Sequence, residues 1–297
     1  WQGNPTWGRG PIFVLSMIWQ TSRFELDLAQ PRIMGIVNVT PDSFSDGGRH
    51  ASTDGALRHC EKLLQDGAHI LDIGGESSRP GAVPLPMEEE LQRIVPVVRG
   101  AVALGVPVSV DTYKPQVMQA VLDLGADIIN DIWALRHSGA ADMVARYPAC
   151  GICLMHMHRE PQTMQVEPMQ GDVVLQVLDF LIQAASDLRA RGVAAQRIVI
   201  DPGIGFGKTV AQNFSLLARQ RELLAAGYPV LSGWSRKSSL AGATSKSLAD
   251  LATLDAHARM VPSVAAALLA VERGARIVRV HDVRETAQAL AVLRAIE

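Results

Sequence analysis

Short apolar runs and longer amphipathic stretches alternate along most of the chain. The β-rich runs are Ile33–Val39, His69–Ile73, Pro107–Asp111, Asp127–Asn130, Gly151–Met155, Arg197–Ile200, Val230–Gly233 and Arg276–Val280. Between and after them, helical spacing of apolar positions marks Ser52–Gln65, Met87–Ala103, Lys114–Leu124, Ala140–Arg146, Asp172–Arg191, Val210–Ala226, Leu254–Arg273 and Val283–Ala295. Strands alternating with helices form parallel sheets joined by crossovers, and runs this continuously apolar suit strands buried on both faces. From Arg32 to Glu297 the eight units average about 33 residues, the size of one strand-helix unit. Eight equal units predict a closed barrel rather than the alternative, an open doubly wound sheet. Pro262 lies inside the seventh helical stretch, so that helix must start near it or bend. Ahead of the barrel, Phe24-Glu25-Leu26-Asp27-Leu28 alternates like a strand and predicts a short β-hairpin. Met17 immediately precedes that region, so residues 1–16 are expected to be an extension before the natural start and 17–297 a single domain.

Composition narrows the function classes. The 297 residues include 48% hydrophobic positions, enough for a full core, which excludes a disordered or fibrous chain. The 28 basic and 30 acidic residues leave a net charge of −2, without the basic field of a dedicated nucleic-acid binder. The longest apolar run near the start, Ile12 to Trp19, has eight residues, whereas a membrane span needs about 20. Three cysteines make no disulfide framework and point to a reducing, cytoplasmic setting.

Chemistry in such a barrel gathers at the carboxyl ends of the strands. Those ends carry Asn38, Gly74-Gly75-Glu76, Asp111, Asn130-Asp131, His156, Asp201, Ser235-Arg236-Lys237 and Arg279-Val280-His281. Asn, Asp and Ser are also ordinary caps and turn formers, but Lys237, Arg279 and His281 are not. Carboxylates, amides and cations on one rim suit a ligand with a donor-rich polar ring and an anionic tail. Other motifs fail. Gly207-Lys208-Thr209 ends like a phosphate-binding P-loop, yet Pro202 stands where its first glycine belongs, and Lys208 occupies the third glycine of a dinucleotide fingerprint begun at Gly203. What remains there is a glycine-rich loop that lets backbone and Phe206 approach a flat ligand. Cys150 and Cys153 have redox or zinc spacing, but residues three apart on a strand point to opposite faces, so both are expected to be buried structural thiols. His156 and His158 lack a third metal ligand nearby and are expected to be structural.

Five segments together carry a family resemblance: Asn38-Val-Thr-Pro-Asp-Ser-Phe-Ser-Asp-Gly-Gly48, Asp72-Ile-Gly-Gly-Glu-Ser-Ser-Arg-Pro-Gly81, Asp201-Pro-Gly-Ile-Gly-Phe-Gly-Lys208, Ser235-Arg-Lys237 and Arg279-Val-His-Asp-Val283. In this order they resemble the signature segments of the dihydropteroate synthases, over about residues 24–297. The resemblance implies a TIM barrel that condenses 6-hydroxymethyl-7,8-dihydropterin pyrophosphate with p-aminobenzoate to give 7,8-dihydropteroate and pyrophosphate. It further implies Mg²⁺, a cytosolic homodimer and sensitivity to sulfonamides.

By the same resemblance, Asp111, Asn130, Asp201 and Lys237 line the pterin pocket, with Met155 and Phe206 as apolar walls and Arg279 stacking on the ring. Pterin N–H donors want carboxylates, and the ring carbonyl wants a cation or amide. Asn38, Arg279 and His281 match the pyrophosphate site, with Asn38 as the Mg²⁺ contact and Asp46 shielding charge at the exocyclic carbon. Phe44, Ser78, Arg79 and Pro80 resemble residues that close over p-aminobenzoate, and Ser238 opens a helix whose N–H groups suit its carboxylate. Residues about 42–50 and 76–86 are expected to order when substrate binds. Loss of pyrophosphate before amine attack is expected, because the arylamine is already neutral. Ser78 stands where the family more often has threonine, Ser232 and Trp234 replace small apolar residues, and Pro262 replaces a glycine; of these, Trp234 is expected to bear on the pocket wall. A related pterin-binding methyltransferase barrel, a sugar-phosphate barrel and a catalytically silent paralogue are the rival functions. The first has no need of Ser235-Arg-Lys237, and the second none of Asp111 with Asp201.

Overall fold

The computed structural model describes residues 17–40, 48–77, 81–160, 164, 167, 169–244 and 257–296. Residues 1–16 lie outside that set. Two short strands, β1 (Ile18–Gln20) and β2 (Glu25–Asp27), form an antiparallel hairpin. Eight parallel strands follow: β3 (Arg32–Asn38), β4 (Ile70–Gly74), β5 (Val108–Asp111), β6 (Ile128–Asp131), β7 (Gly151–Met155), β8 (Ile198–Asp201), β9 (Val230–Ser232) and β10 (Ala275–Val280). They hydrogen-bond in chain order, and β10 closes on β3, which makes a TIM barrel.

Strand positions agree with the pattern of the sequence to within a residue or two, and three helical stretches differ, the first of them beginning at Gly48 rather than Ser52. Val210–Ala226 divides into an α-helix, Val210–Ala218, and a tighter 3-10 segment, Gln220–Ala226. The change of pitch lets the buried Gln220 amide donate to Ala270 O at 2.7 Å and accept from Ser232 Oγ at 3.4 Å, tying the segment to β9 and the following helix. The seventh barrel helix spans Met260–Glu272. Pro262 therefore sits in its first turn, where a missing N–H has no partner to lose.

Alternate residues of a strand face opposite ways, and the barrel uses its two faces differently. Val37, Ile73, Val110, Ile129, Leu154 and Ile200 point outward into the main core beneath the helices. Inward, Met34, Ile70, Ile128, Cys153, Val199, Leu231 and Ile277 form a second apolar cluster with Trp19 and Leu28 of the hairpin region. Two residues further along their strands, the same face carries Asp72, Asn130, Met155, Asp201 and Arg279. The barrel interior is thus sealed and apolar at its floor and polar at its mouth. Cys150 belongs to the outer cluster and Cys153 to the inner one, as the spacing predicts, and both are free buried thiols.

Trp19 plugs the floor. Its side chain is fully buried and donates Nε1–H to Arg197 O at 3.0 Å. The hairpin is further tied by Arg23, which donates to Asp127 from its backbone N, Nε and Nη2 at 3.0, 3.0 and 2.6 Å. Removing a fully packed aromatic costs about 3–5 kcal/mol. Trp19→Ala should lower unfolding free energy by that amount in chemical denaturation; a loss below about 1 kcal/mol would show that the hairpin is not part of the core.

Candidate active site

At the barrel mouth a guanidinium is clasped between carboxylates. Asp72, from the middle of β4, has no exposure. It accepts from Arg279 Nε at 2.5 Å, from Ser109 Oγ at 2.6 Å and from Asn130 Nδ2 at 3.3 Å. Arg279 Nη2 donates to Asp111 Oδ2 at 2.8 Å. The two carboxylates hold Arg279 charged, with its pKa above the usual arginine range despite burial. Burial pushes the Asp111 carboxyl up to about 7, against the pull of Arg279 and with the help of nearby Asp72, Glu90 and Asp131.

Opposite this clasp, Asp201 ends β8. Its Oδ1 accepts the Gly203 N–H at 2.7 Å, and burial raises its pKa in spite of that bond. The loop from Gly203 to Gly207 lies directly on the end of β7. A Cβ on Gly203, where φ is +68°, would fall 1.8 Å from His156 O, so only glycine fits. Lys208 fastens the loop from below. Its buried ammonium donates to the carbonyls of Gly203 (2.8 Å), Phe206 (3.1 Å) and His156 (3.3 Å) and meets His156 Nδ1 at 2.9 Å. It is a loop clamp and binds no phosphate in this arrangement. Burial first, then the charge of Lys208, lowers His156 to about 2, which keeps the ring neutral and able to accept. The clamp sets the Phe206 ring 4.1 Å from Lys237 Nζ. Burial, with the Arg279 charge second, pulls Lys237 down to about 8. Met155 and Phe206 share one buried apolar cluster with Ile132, Met157 and Met164, flanked by Tyr113 and Trp133.

A third group stands beside the cations. Ser235 Oγ lies 2.9 Å from His281 Nδ1 and accepts the His281 backbone N–H at 3.0 Å. Asn38 ends β3 half-buried, in register with Gly74. Ser238 is exposed and opens the short helix Ser238–Thr244.

Asp111, Asn130, Met155, Asp201, Phe206, Lys237 and Arg279 are brought together at the mouth, and His281 stands on Ser235 beside them. Phe44, Asp46, Ser78, Arg79 and Pro80 lie outside the described residues, as does much of the two loops expected to order on binding. His156 and His158 are structural: His158 Nε2 contacts Glu167 O at 3.1 Å. Trp234 corrects an expectation. It is buried in the outer core against Phe214, with ring centroids 5.3 Å apart, and does not form the pocket wall. The sequence reading passed over two groups, Asp72 as the centre of the clasp and Lys208 as the clamp. Asp72 was visible as the first residue of a family segment and as an acid in the middle of an otherwise apolar strand, without a role attached to either.

Acceptors below, cations at the side and an apolar wall define a barrel enzyme built to hold a flat, donor-rich heterocycle next to an anion. The sequence profile of the pterin-binding enzymes matches residues 34–281, and the chain belongs to that family, among its dihydropteroate synthases. The dihydropteroate synthase of Neisseria meningitidis serogroup C is 50% identical over 282 residues, 94% of this chain and 97% of that one. The structure of the Burkholderia cenocepacia dihydropteroate synthase complexed with 7,8-dihydropteroate is 49% identical, with a TM-score of 0.83 over 94% of this chain and 96% of that one. A Yersinia pestis dihydropteroate synthase in a sulfonamide drug complex is 42% identical, with a TM-score of 0.86 over 94% and 99% of the two chains.

Deleting one partner of a buried ion pair costs about 3–5 kcal/mol because the other charge stays buried. Asp72→Ala should destabilise the chain by that much, whereas Ser109→Ala, which removes one hydrogen bond, should cost about 1 kcal/mol. Parallel denaturation curves compare the two. Equal losses would mean that Asp72 is only another hydrogen-bond acceptor.

Proposed function

We propose that the chain condenses 6-hydroxymethyl-7,8-dihydropterin pyrophosphate with p-aminobenzoate, forming 7,8-dihydropteroate and releasing pyrophosphate. The observation that carries this reading is the facing pair of polar sets, each an acceptor carboxylate beside a donor, Asp111 with Asn130 and Asp201 with Lys237, across one mouth with Phe206 beside them. The carboxylates accept the N–H groups of the pterin edge, and Lys237 or the Asn130 amide donates to the ring carbonyl. An analogue lacking those donors would leave buried charge unpaired, which makes the site selective. Met155 and Phe206 cover the ring, and Arg279, fixed by Asp72 and Asp111, lies against it as a permanent cation.

Departure of pyrophosphate builds negative charge on the bridging oxygen, which Arg279 and His281 would neutralise. Mg²⁺ fits the donor set here. Among the described residues no group of three His, Cys, Asp or Glu is arranged to hold a metal. Asn38 offers one neutral oxygen, and magnesium is ordinarily completed by water and substrate phosphates. When bound, the ion would add charge neutralisation at the phosphates. The arylamine needs no strong base, which favours loss of pyrophosphate before amine attack. Asp46 would shield the developing cation at the exocyclic carbon, Phe44, Ser78, Arg79 and Pro80 would close over p-aminobenzoate, and Ser238 would meet its carboxylate; these roles rest on the family resemblance. A sulfonamide, which copies the arylamine, would compete there. We further infer a homodimer, supported by the exposed Val261 and Val292 on the last two helices, and a cytoplasmic setting, supported by three free buried cysteines. No described helix is long and apolar enough to cross a membrane.

The direct test supplies the pure chain with the pterin pyrophosphate, labelled p-aminobenzoate and Mg²⁺. Dihydropteroate should form, a sulfonamide should compete with p-aminobenzoate, and deuterium at the exocyclic carbon should slow turnover measurably. Absence of product would overturn the assignment, and an isotope effect of unity would overturn the order of steps.

Titration gives a second test. Asp111 accepts with both oxygens only when ionised, above about 7, and Lys237 donates as a cation only below about 8. Pterin affinity should therefore be greatest between those values, weakening about tenfold per pH unit on either side. Calorimetry with 6-hydroxymethyl-7,8-dihydropterin measures this, and an affinity flat from about pH 5.5 to 9 would remove both groups from the pocket.

A further inference from the structure

Between Ser235 and Lys237, Arg236 has a left-handed backbone with φ +58°, one of four non-glycine residues with positive φ among those described. Such conformations persist only where surrounding structure enforces them, and they gather at functional sites. Here the enforcement comes from every group the residue has. Its guanidinium pairs with Asp282, Nη2 to Oδ1 at 2.6 Å and Nε to Oδ2 at 3.2 Å. Its N–H donates to Ser263 Oγ at 2.8 Å, and its carbonyl accepts from Arg259 Nη1 at 2.8 Å. Ser263 in turn donates to Arg259 O at 2.6 Å, so the two clamps brace each other.

Asp282 bears a cost for this. It occupies the N-cap of the last helix, Val283–Arg294, where an aspartate ordinarily accepts a backbone N–H, yet its side chain makes no capping bond and turns to Arg236 instead. The turn sends its two neighbours apart. Ser235 goes to His281, 2.9 Å from Nδ1, and Lys237 goes to the Phe206 ring at 4.1 Å. Ser235 Oγ also accepts the His281 backbone N–H at 3.0 Å, which leaves its own proton available to Nδ1. Donation to Nδ1 would leave the imidazole N–H on Nε2, as a donor suited to an oxyanion.

We propose that Arg236 is a positioning residue for the departure of pyrophosphate: its clasp with Asp282 holds a strained turn that seats Ser235 on His281 and so fixes which imidazole nitrogen carries the proton. This rests on the role given above to His281. The strain is relieved by glycine, which adopts φ near +60° freely, and that separates the turn from the clasp that enforces it.

The test uses the full chain with Arg236→Ala, Asp282→Ala, the milder Asp282→Asn, and Arg236→Gly. The Ala variants should lower kcat by about tenfold or more, the effect of losing one oriented donor to developing charge, while KM for p-aminobenzoate stays within about twofold. Arg236→Gly should recover much of the lost kcat. Spectra of ¹⁵N-histidine-labelled protein report the ring protonation site without turnover: His281 should show the Nε2–H form in the parent chain and a mixture of forms in Arg236→Ala. An unchanged His281 tautomer in every variant, or a kcat loss that Arg236→Gly leaves as deep as Arg236→Ala, would overturn the proposal. A parent chain that makes no dihydropteroate would instead remove the function itself, and the histidine spectra would still decide whether the turn sets the tautomer.

Discussion

Arg279 is a half-buried cation, and the mouth of the barrel is organised by the need to keep it compensated. A guanidinium withdrawn from water is tolerable only with well-placed acceptors, and here Asp72 and Asp111 supply them at 2.5 and 2.8 Å. Each acceptor then needs its own support. Asp72 takes Ser109 and Asn130 as further donors, so strands β4, β5, β6 and β10 become mutually dependent at one level of the barrel. Among the described residues Asp111 makes no second strong bond of that kind, and burial pushes it up to about 7. The same constraint therefore yields one carboxylate committed to structure and one available to a ligand.

The opposite side of the mouth reaches a similar end by different means. There the difficulty is a loop pressed so tightly on β7 that no side chain fits at Gly203. Its carbonyls converge inward, and the Lys208 ammonium satisfies three of them at once. A buried lysine with only backbone dipoles and a neutral histidine as immediate partners is itself strained electrostatically, and its pKa falls to about 7 for that reason. Asp201 nearby keeps part of the charge compensated. Phe206 is held by the clamp, and Lys237 by the aromatic ring beneath it, so the wall of the pocket depends on a group that does not face the ligand.

The barrel itself was readable because its strands are short, apolar and regularly spaced, and because Pro262 and the glycine-rich loops mark the helix starts and turns. Residues at strand ends, from Asn38 to His281, were readable by position, since parallel strands bring their carboxyl ends to one rim. Asp72 escaped because it lies two residues before the end of its strand, inside a run that otherwise reads as buried hydrocarbon. Lys208 escaped because its motif was weighed as a phosphate loop, and failure of that match says nothing about where an ammonium goes once buried. Trp234, two residues past the end of β9, keeps the outward alternation of Val230 and packs on Phe214, a face masked in the sequence by its place next to Ser235-Arg-Lys237.

Asp72 shows the general limit. Period-two alternation predicts the face a residue takes, but it does not predict the depth at which polarity becomes affordable inside a closed barrel. That depth is set by the floor. Trp19 and Leu28 seal the lower interior against water, so the apolar layer of Ile70, Ile128, Cys153, Val199 and Ile277 can be a single residue thick. Polar groups can then begin at the very next inward position, where Asp72, Asn130, Asp201 and Arg279 stand. A floor open to solvent would hydrate those charges and weaken every contact among them, because an ion pair in low dielectric is stronger than the same pair in water. The hairpin that precedes the barrel, remote from the chemistry, is thus what permits a charged site to be built so deep in it.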